Sequence, residues 1–148
     1  MMTYSGYLRQ PHYYETDQMG IIHHSNYIRW FEEARVDWLA FLDLPYYKIE
    51  EAGIIIPVLA VSCEYKEMIR YEDAVKISVK IEQYTGTRLD FSYQISHQKT
   101  GNLLTTGTSK HCFLAKDSNR LLQLRRSHPE VHQKFLETFE AQNEASDD

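Results

Sequence analysis

No long apolar run interrupts this 148-residue chain. The longest, Ile54 to Val61, contains Pro57 and is far too short to span a bilayer. The first residues lack the apolar core of a secretory leader. Cysteine is scarce. Cys63 and Cys112 have no paired metal-binding spacing, so free thiols in a reducing compartment are expected rather than a disulfide. There is no glycine-rich phosphate loop, no dinucleotide fingerprint and no G-x-S-x-G nucleophile elbow. Nor is there the basic excess of a nucleic-acid binder: 16 Lys and Arg face 21 Asp and Glu, a formal net charge of -5. The expectation left is a cytoplasmic protein with no membrane span and no nucleic-acid partner. Without repeats or low-complexity linkers, residues 1–148 read as one domain, with a frayed tail at 144–148.

Aromatic residues are plentiful, at 13% of the chain with eleven tyrosines. Their polar tips on apolar bodies suit interfaces and clefts as well as cores. Leu8 to Tyr14 reads as a first strand, with Pro11 suited to an edge. Asp17 to Ser25 reads as a turn, with Gly20 its most flexible point. From Asn26 the period becomes helical: Tyr27, Phe31, Ala34, Trp38, Phe41 and Leu42 form one apolar face. Ser25 or Asn26 is placed to cap this helix. Leu44-Pro45 ends it, and a short helix follows from Pro45 to Ala52, closed by Gly53. Val58 to Lys66, Ala74 to Gln83, Arg88 to Ser96 and Leu103 to Phe113 read as strands, the second and third with clean alternation. Leu121 to Leu124 reads as a short last strand and Pro129 to Phe139 as a closing helix. Short turns make the strands antiparallel. The order predicts an α+β fold in which a curved antiparallel sheet wraps around one long helix, with a second copy covering its exposed edge.

One segment concentrates the chemistry: Tyr13-Tyr14-Glu15-Thr16-Asp17-Gln18-Met19-Gly20-Ile21-Ile22-His23-His24-Ser25-Asn26-Tyr27. It sets a carboxylate and two imidazoles just ahead of a helix start. The unpaired amides of that start favour negative charge in front of them. A carbonyl held there would have its developing oxyanion stabilised, and Asp17 could attack it or activate water. An Asp in a turn more often caps the turn, so position alone does not decide. The adjacent His23 and His24 match no helical metal motif. The His24 backbone amide is the more useful group there, and Asn26 either caps the helix or ties the loop. Arg88, Lys110, Arg125 and Arg126 offer positive charge for phosphates.

This segment, with the helix start YIRWFEEAR after it, resembles the hot-dog-fold acyl-CoA thioesterases of the 4-hydroxybenzoyl-CoA thioesterase family, chiefly their short-chain and long-chain branches. The family pattern is an acid-Thr-Asp turn, a glycine, two apolar residues and an H-x-N-Y-like helix start. Asp17, Gly20, His24, Asn26, Tyr27, Glu32 and Arg35 fall on it. A second block, Tyr65 to Asp73, agrees at Tyr65 and Asp73. It departs at Met68, where proline is common, and Glu15 replaces a more frequent aspartate. The likeness covers about residues 7–135. It implies a single hot-dog domain in a homodimer or homotetramer with active sites between protomers. It also implies hydrolysis of acyl-CoA by Asp17, with His24 binding the carbonyl and Gly20 and Asn26 supporting the loop. Tyr27 and Phe31 would line the acyl pocket, Arg88 and Lys110 would contact CoA, and no metal or other cofactor would be needed. The alternatives are an acyl-carrier-protein thioesterase and a non-catalytic acyl-CoA-binding protein.

Overall fold

The computed structural model describes residues 3–146. The chain runs β1 (Tyr7–Arg9), α1 (Ser25–Phe41), α2 (Tyr46–Glu51), β2 (Ile54–Ile55), β3 (Val58–Tyr65), β4 (Val75–Tyr84), β5 (Arg88–His97), β6 (Leu103–Cys112), β7 (Leu114–Ala115), α3 (Leu124–Ser127) and α4 (Pro129–Ser146). Five strands form one antiparallel sheet in the order β1-β4-β5-β6-β3, and β2 pairs with β7 in a small second ladder.

The alternation along β4 to β6 builds the core. Val75, Ile77, Val79 and Ile81 lie on the same face as Leu89, Phe91, Tyr93 and Ile95, all buried. Their neighbours in sequence face outward. The buried face meets the apolar stripe of α1: Phe31 stacks on Tyr93 at 4.5 Å and Trp38 meets Phe91 edge-on at 5.2 Å. Gly107 on β6 permits this approach, since a Cβ there would lie 2.3 Å from the Phe31 ring.

The expected curved sheet wrapped around one helix is not what forms. The sheet is open, with β1 and β3 as unjoined edges. The reason is a second cover. Helix α4 runs to Ser146 rather than Phe139, and its Phe135 is fully buried among Trp38, Tyr84 and Phe113. Two helices share the apolar face, so the sheet need not close around one. Three local readings also change. β1 stops at Arg9, and Tyr13–Glu15 forms a single 3-10 turn instead of extending the strand. Leu121 makes only an isolated bridge to Leu114, and Leu124 begins α3. Of the tail, Glu144 to Ser146 continue α4, and residues 147–148 lie outside the described residues.

Candidate active site

The loop between β1 and α1 is built around two acids. Asp17 makes the turn: its Oδ1 accepts from the amides of Met19 at 2.8 Å and Ile21 at 3.4 Å, and its amide donates to the Ile21 carbonyl at 2.8 Å. Gly20 supplies the left-handed bend at φ +78°, and space beside it is open. Among the described residues no hydrogen bond reaches Oδ2 of Asp17. The turn role and a free carboxylate oxygen therefore coexist in one half-exposed side chain.

Glu15 holds the loop in place, a role the sequence did not reveal. It is 4% exposed, and its carboxylate accepts four hydrogen bonds. Arg9 grips it bidentately at 3.0 and 2.9 Å, Trp30 Nε1 donates at 2.9 Å, and the His12 amide donates at 2.7 Å. Its carbonyl oxygen accepts from the His23 amide at 2.8 Å and from Asn26 Nδ2 at 3.0 Å. Arg9 also bonds Glu33 at 2.8 Å and lies over the Trp30 ring. Burial alone would raise the Glu33 carboxyl, but hydrogen bonds from Arg9 and Tyr7 outweigh it and hold it below its ordinary value. Glu15 neutralises the buried guanidinium, and Glu33 with the Gln10 carbonyl takes up its remaining donors.

At the helix start, His24 occupies the capping position with no side-chain cap. Neither Ser25 nor Asn26 caps: Ser25 Oγ bonds the His23 ring, and the buried Asn26 amide ties back to Glu15 and His23. Among the described residues the His24 amide has no acceptor. The His24 carbonyl accepts from Tyr65 at 3.2 Å, which joins this corner to the end of β3. Ile22 N donates to the Ile69 carbonyl at 2.8 Å, fastening the loop to the β3–β4 connection.

Of the remaining expected site residues, Tyr27 stays at this corner and the others lie elsewhere. Tyr27 and Phe31 are buried in the helix–sheet interface, Tyr27 against Tyr65 and Phe31 against Tyr93. The neighbouring stripe of α1, Glu32, Arg35, Val36 and Leu39, instead lines a cavity of about 410 Å³, closed by Ile56, Pro57, Leu89 and Phe91. Arg88 and Lys110 sit on the outward face of the sheet, on positions that alternate with the helix-facing Leu89 and His111. Lys110 is five residues along β6 from Thr105, the partner of Tyr65, or roughly 17 Å at about 3.4 Å per residue. Within the chain the fold does not bring these two cations to the Asp17 loop.

Behind the cavity wall runs a buried polar chain. Arg35 donates to Tyr93 Oη at 3.1 Å, Tyr93 Oη lies 2.5 Å from Ser109 Oγ, and Ser109 Oγ lies 2.7 Å from His111 Nε2. His111 is 1% exposed, and its Nδ1 sits near the Pro57 carbonyl outside hydrogen-bonding geometry. Burial, reinforced by the charge of Arg35, pulls the His111 imidazole down to about 4. The unfolded chain, with an ordinary value near 6.5, then binds more protons than the native state between those limits. His111 should thus contribute its full stability above about pH 6.5 and lose it as pH falls toward about 4, on the order of 3 kcal/mol. Urea unfolding across that range checks this; a slope unchanged in His111→Phe would remove His111 as its source.

Comparison with known proteins converges on one family. The model of the thioesterase-like superfamily matches residues 11–139. YneP of Bacillus subtilis, provisionally named an acyl-CoA thioesterase, is 33% identical over 120 residues, 81% of this chain and 86% of its own. A protein of Aquifex aeolicus, provisionally named an esterase, is 35% identical over 108 residues, 73% of this chain and 83% of its own. The crystal structure of a DHNA-CoA thioesterase from Staphylococcus aureus superposes with a TM-score of 0.88 at 34% identity, covering 94% of this chain and 93% of that one. With the helix-on-sheet architecture and the β1–α1 loop already described, these matches place the chain in the hot-dog-fold thioesterase-like superfamily.

Proposed function

We infer that the protein hydrolyses the thioester bond of acyl-CoA, giving a carboxylic acid and CoA, with Asp17 as the reacting carboxylate. The observation that carries this reading is that one clamped loop holds, among the described residues, an Asp17 Oδ2 without a hydrogen bond and a His24 amide without an acceptor. The thioester oxygen accepts from the His24 amide, which lies where negative charge develops. Asp17 then either adds to the carbonyl carbon, expelling the CoA thiolate and leaving a mixed anhydride for water to cleave, or takes a proton from water as that water adds. Either route consumes one water. The acyl group enters the cavity beside α1, whose apolar walls suit it.

Release of free thiol from acetyl-, medium-chain, long-chain, branched and aromatic acyl-CoAs tests the reading. The same acyl groups on acyl-carrier protein separate the two carriers. Turnover on the carrier protein alone would reassign the substrate, and tight binding without turnover on any would make the protein an acyl-CoA binder.

The outward-facing Arg88 and Lys110 serve CoA only if a second protomer presents them, so we assign the complete site to a homodimer. The free edge of β3 is its seam: Val58, Leu59, Val61 and Tyr65 are exposed along an unpaired strand. Val61→Lys, which sets a like charge at that edge, should shift the protein from dimer to monomer in sedimentation. A dimer of unchanged affinity would move the seam elsewhere.

A further inference from the structure

A second cavity, of about 570 Å³, lies between the tip of the β4–β5 hairpin and helices α3 and α4. Tyr84, Gln123, Arg125, Pro129, His132 and Leu136 line it. It is remote from the reacting loop. Val75 begins β4 beside the connection that holds Ile22, and Tyr84 is nine residues further along, or roughly 30 Å at about 3.4 Å per residue.

Among the described residues no acid lines this space, although the chain carries 21 acids against 16 Lys and Arg. Glu130 and Glu137 are near in sequence, but neither lines it, and Glu137 accepts from Gln133 Nε2 at 2.9 Å. The exposed Arg125 guanidinium has no ion pair and no side-chain hydrogen bond among the described residues. Its backbone, by contrast, is fixed. Gln123 Oε1 accepts from the Arg125 amide at 3.1 Å, and Gln123 Nε2 donates to the Thr85 carbonyl at 3.2 Å. The Leu124 amide donates to the Gly86 carbonyl at 2.9 Å, so α3 is tied to the hairpin tip at two points.

His132 supplies a second donor. Tyr84 is buried, and burial pushes its hydroxyl above its ordinary value, so it stays a phenol. The one partner of that hydroxyl among the described residues is His132 Nδ1, at 2.7 Å. Nδ1 therefore accepts, and the imidazole proton sits on Nε2, which has no partner among the described residues.

A carboxylate suits this pair of donors. Its two oxygens match the planar fork of a guanidinium and keep a lone pair for the imidazole N–H. Pro129 and Leu136 offer apolar contact to whatever carries it, and the volume is that of a small-molecule site. We propose that this cavity binds a small organic carboxylate with an apolar body, held by Arg125 and His132. Binding here requires no turnover, so it stands apart from the hydrolase reading.

Benzoate is the probe, with neutral benzamide and inorganic phosphate as comparisons. In amide correlation spectra of the nitrogen-15-labelled protein, benzoate should shift Thr85, Gln123 and Gln133 saturably. Benzamide, which lacks the charge, should bind about 10-fold or more weakly, the range of a hydrogen bond between charged groups. Arg125→Gln should weaken benzoate by a similar factor, and the exposed position makes loss of the fold no concern. His132→Phe keeps a ring against Tyr84, removes the Nε2 donor and should weaken benzoate as well. Arg126→Gln removes a neighbouring charge that does not line the cavity and should leave binding unaltered. No saturable shift at these residues, shifts confined to the Asp17 loop, equal binding of benzamide, or unaltered binding by Arg125→Gln would each overturn the proposal. Phosphate binding there as tightly as benzoate would overturn the assignment to a carboxylate with an apolar body.

Discussion

Asp17→Asn should lower kcat for acyl-CoA hydrolysis by about 100- to 10,000-fold, the usual contribution of a positioned acid–base group. The substitution is chosen for what it preserves. Asparagine retains an oxygen that can accept from the Met19 and Ile21 amides, so the turn keeps its hydrogen bonds. Gly20 keeps its bend, and the Glu15 anchor two residues earlier is untouched. What disappears is the negative charge and the nucleophilic second oxygen. Thiol release measured beside thermal unfolding should show activity lost and the transition unmoved. Near-normal turnover would falsify the assignment of Asp17. If activity is lost, single-turnover reaction of the wild-type protein in heavy-oxygen water tests the anhydride route. An unlabelled acid product with the label on Asp17 requires that the carboxylate attacked and that water opened the anhydride at the Asp17 carbonyl, whereas label in the product means that water attacked the acyl carbon.

Glu15→Ala should destabilise the protein by about 3–5 kcal/mol, the range for removing one partner of a buried ion pair. Arg9 is 8% exposed and would keep only the partly exposed Glu33 and the Gln10 carbonyl. Trp30 Nε1 and the His12 amide would lose their acceptor as well. Most of the loss is the penalty of buried Arg9 donors left without the Glu15 acceptor rather than the net worth of the pair. A double variant, Arg9→Met with Glu15→Leu, should therefore recover a large part of it. Urea unfolding measures both. A loss below about 1 kcal/mol for Glu15→Ala, or no recovery in the double variant, would mean water reaches the site and screens it.

The parts of the molecule readable from sequence are those whose evidence is local. Val75 to Ile81 and Leu89 to Ile95 alternate because one sheet face is buried, and both strands form with that face inward. The stripe from Tyr27 through Trp38 likewise becomes the covered face of α1. Pairings distant in sequence left no such trace. Arg9, Glu15, Trp30 and Glu33 come from a strand, a turn and a helix, and only the fold shows that they form one cluster. The second helical cover was hidden for the same reason: Phe135 meets Trp38 from nearly a hundred residues away. The orientation of Arg88 and Lys110, by contrast, was available. Once Leu89 and His111 face the helix, strand alternation turns their neighbours outward.

The loop bearing Asp17 is fastened by contacts that span long stretches of chain, while the two hairpins at the centre of the sheet are not. Hairpins β4–β5 and β5–β6 close through short turns, but Ile22 must find Ile69, and His24 must find Tyr65 after β3 has crossed to the far edge. Closing a long loop costs entropy before any contact rewards it, so such pairings form late. The hairpins should appear early and the reactive corner last. A refolding chain would regain sheet structure before turnover, and on warming the corner would open before the sheet melts, so loss of activity becomes the earliest sign of unfolding.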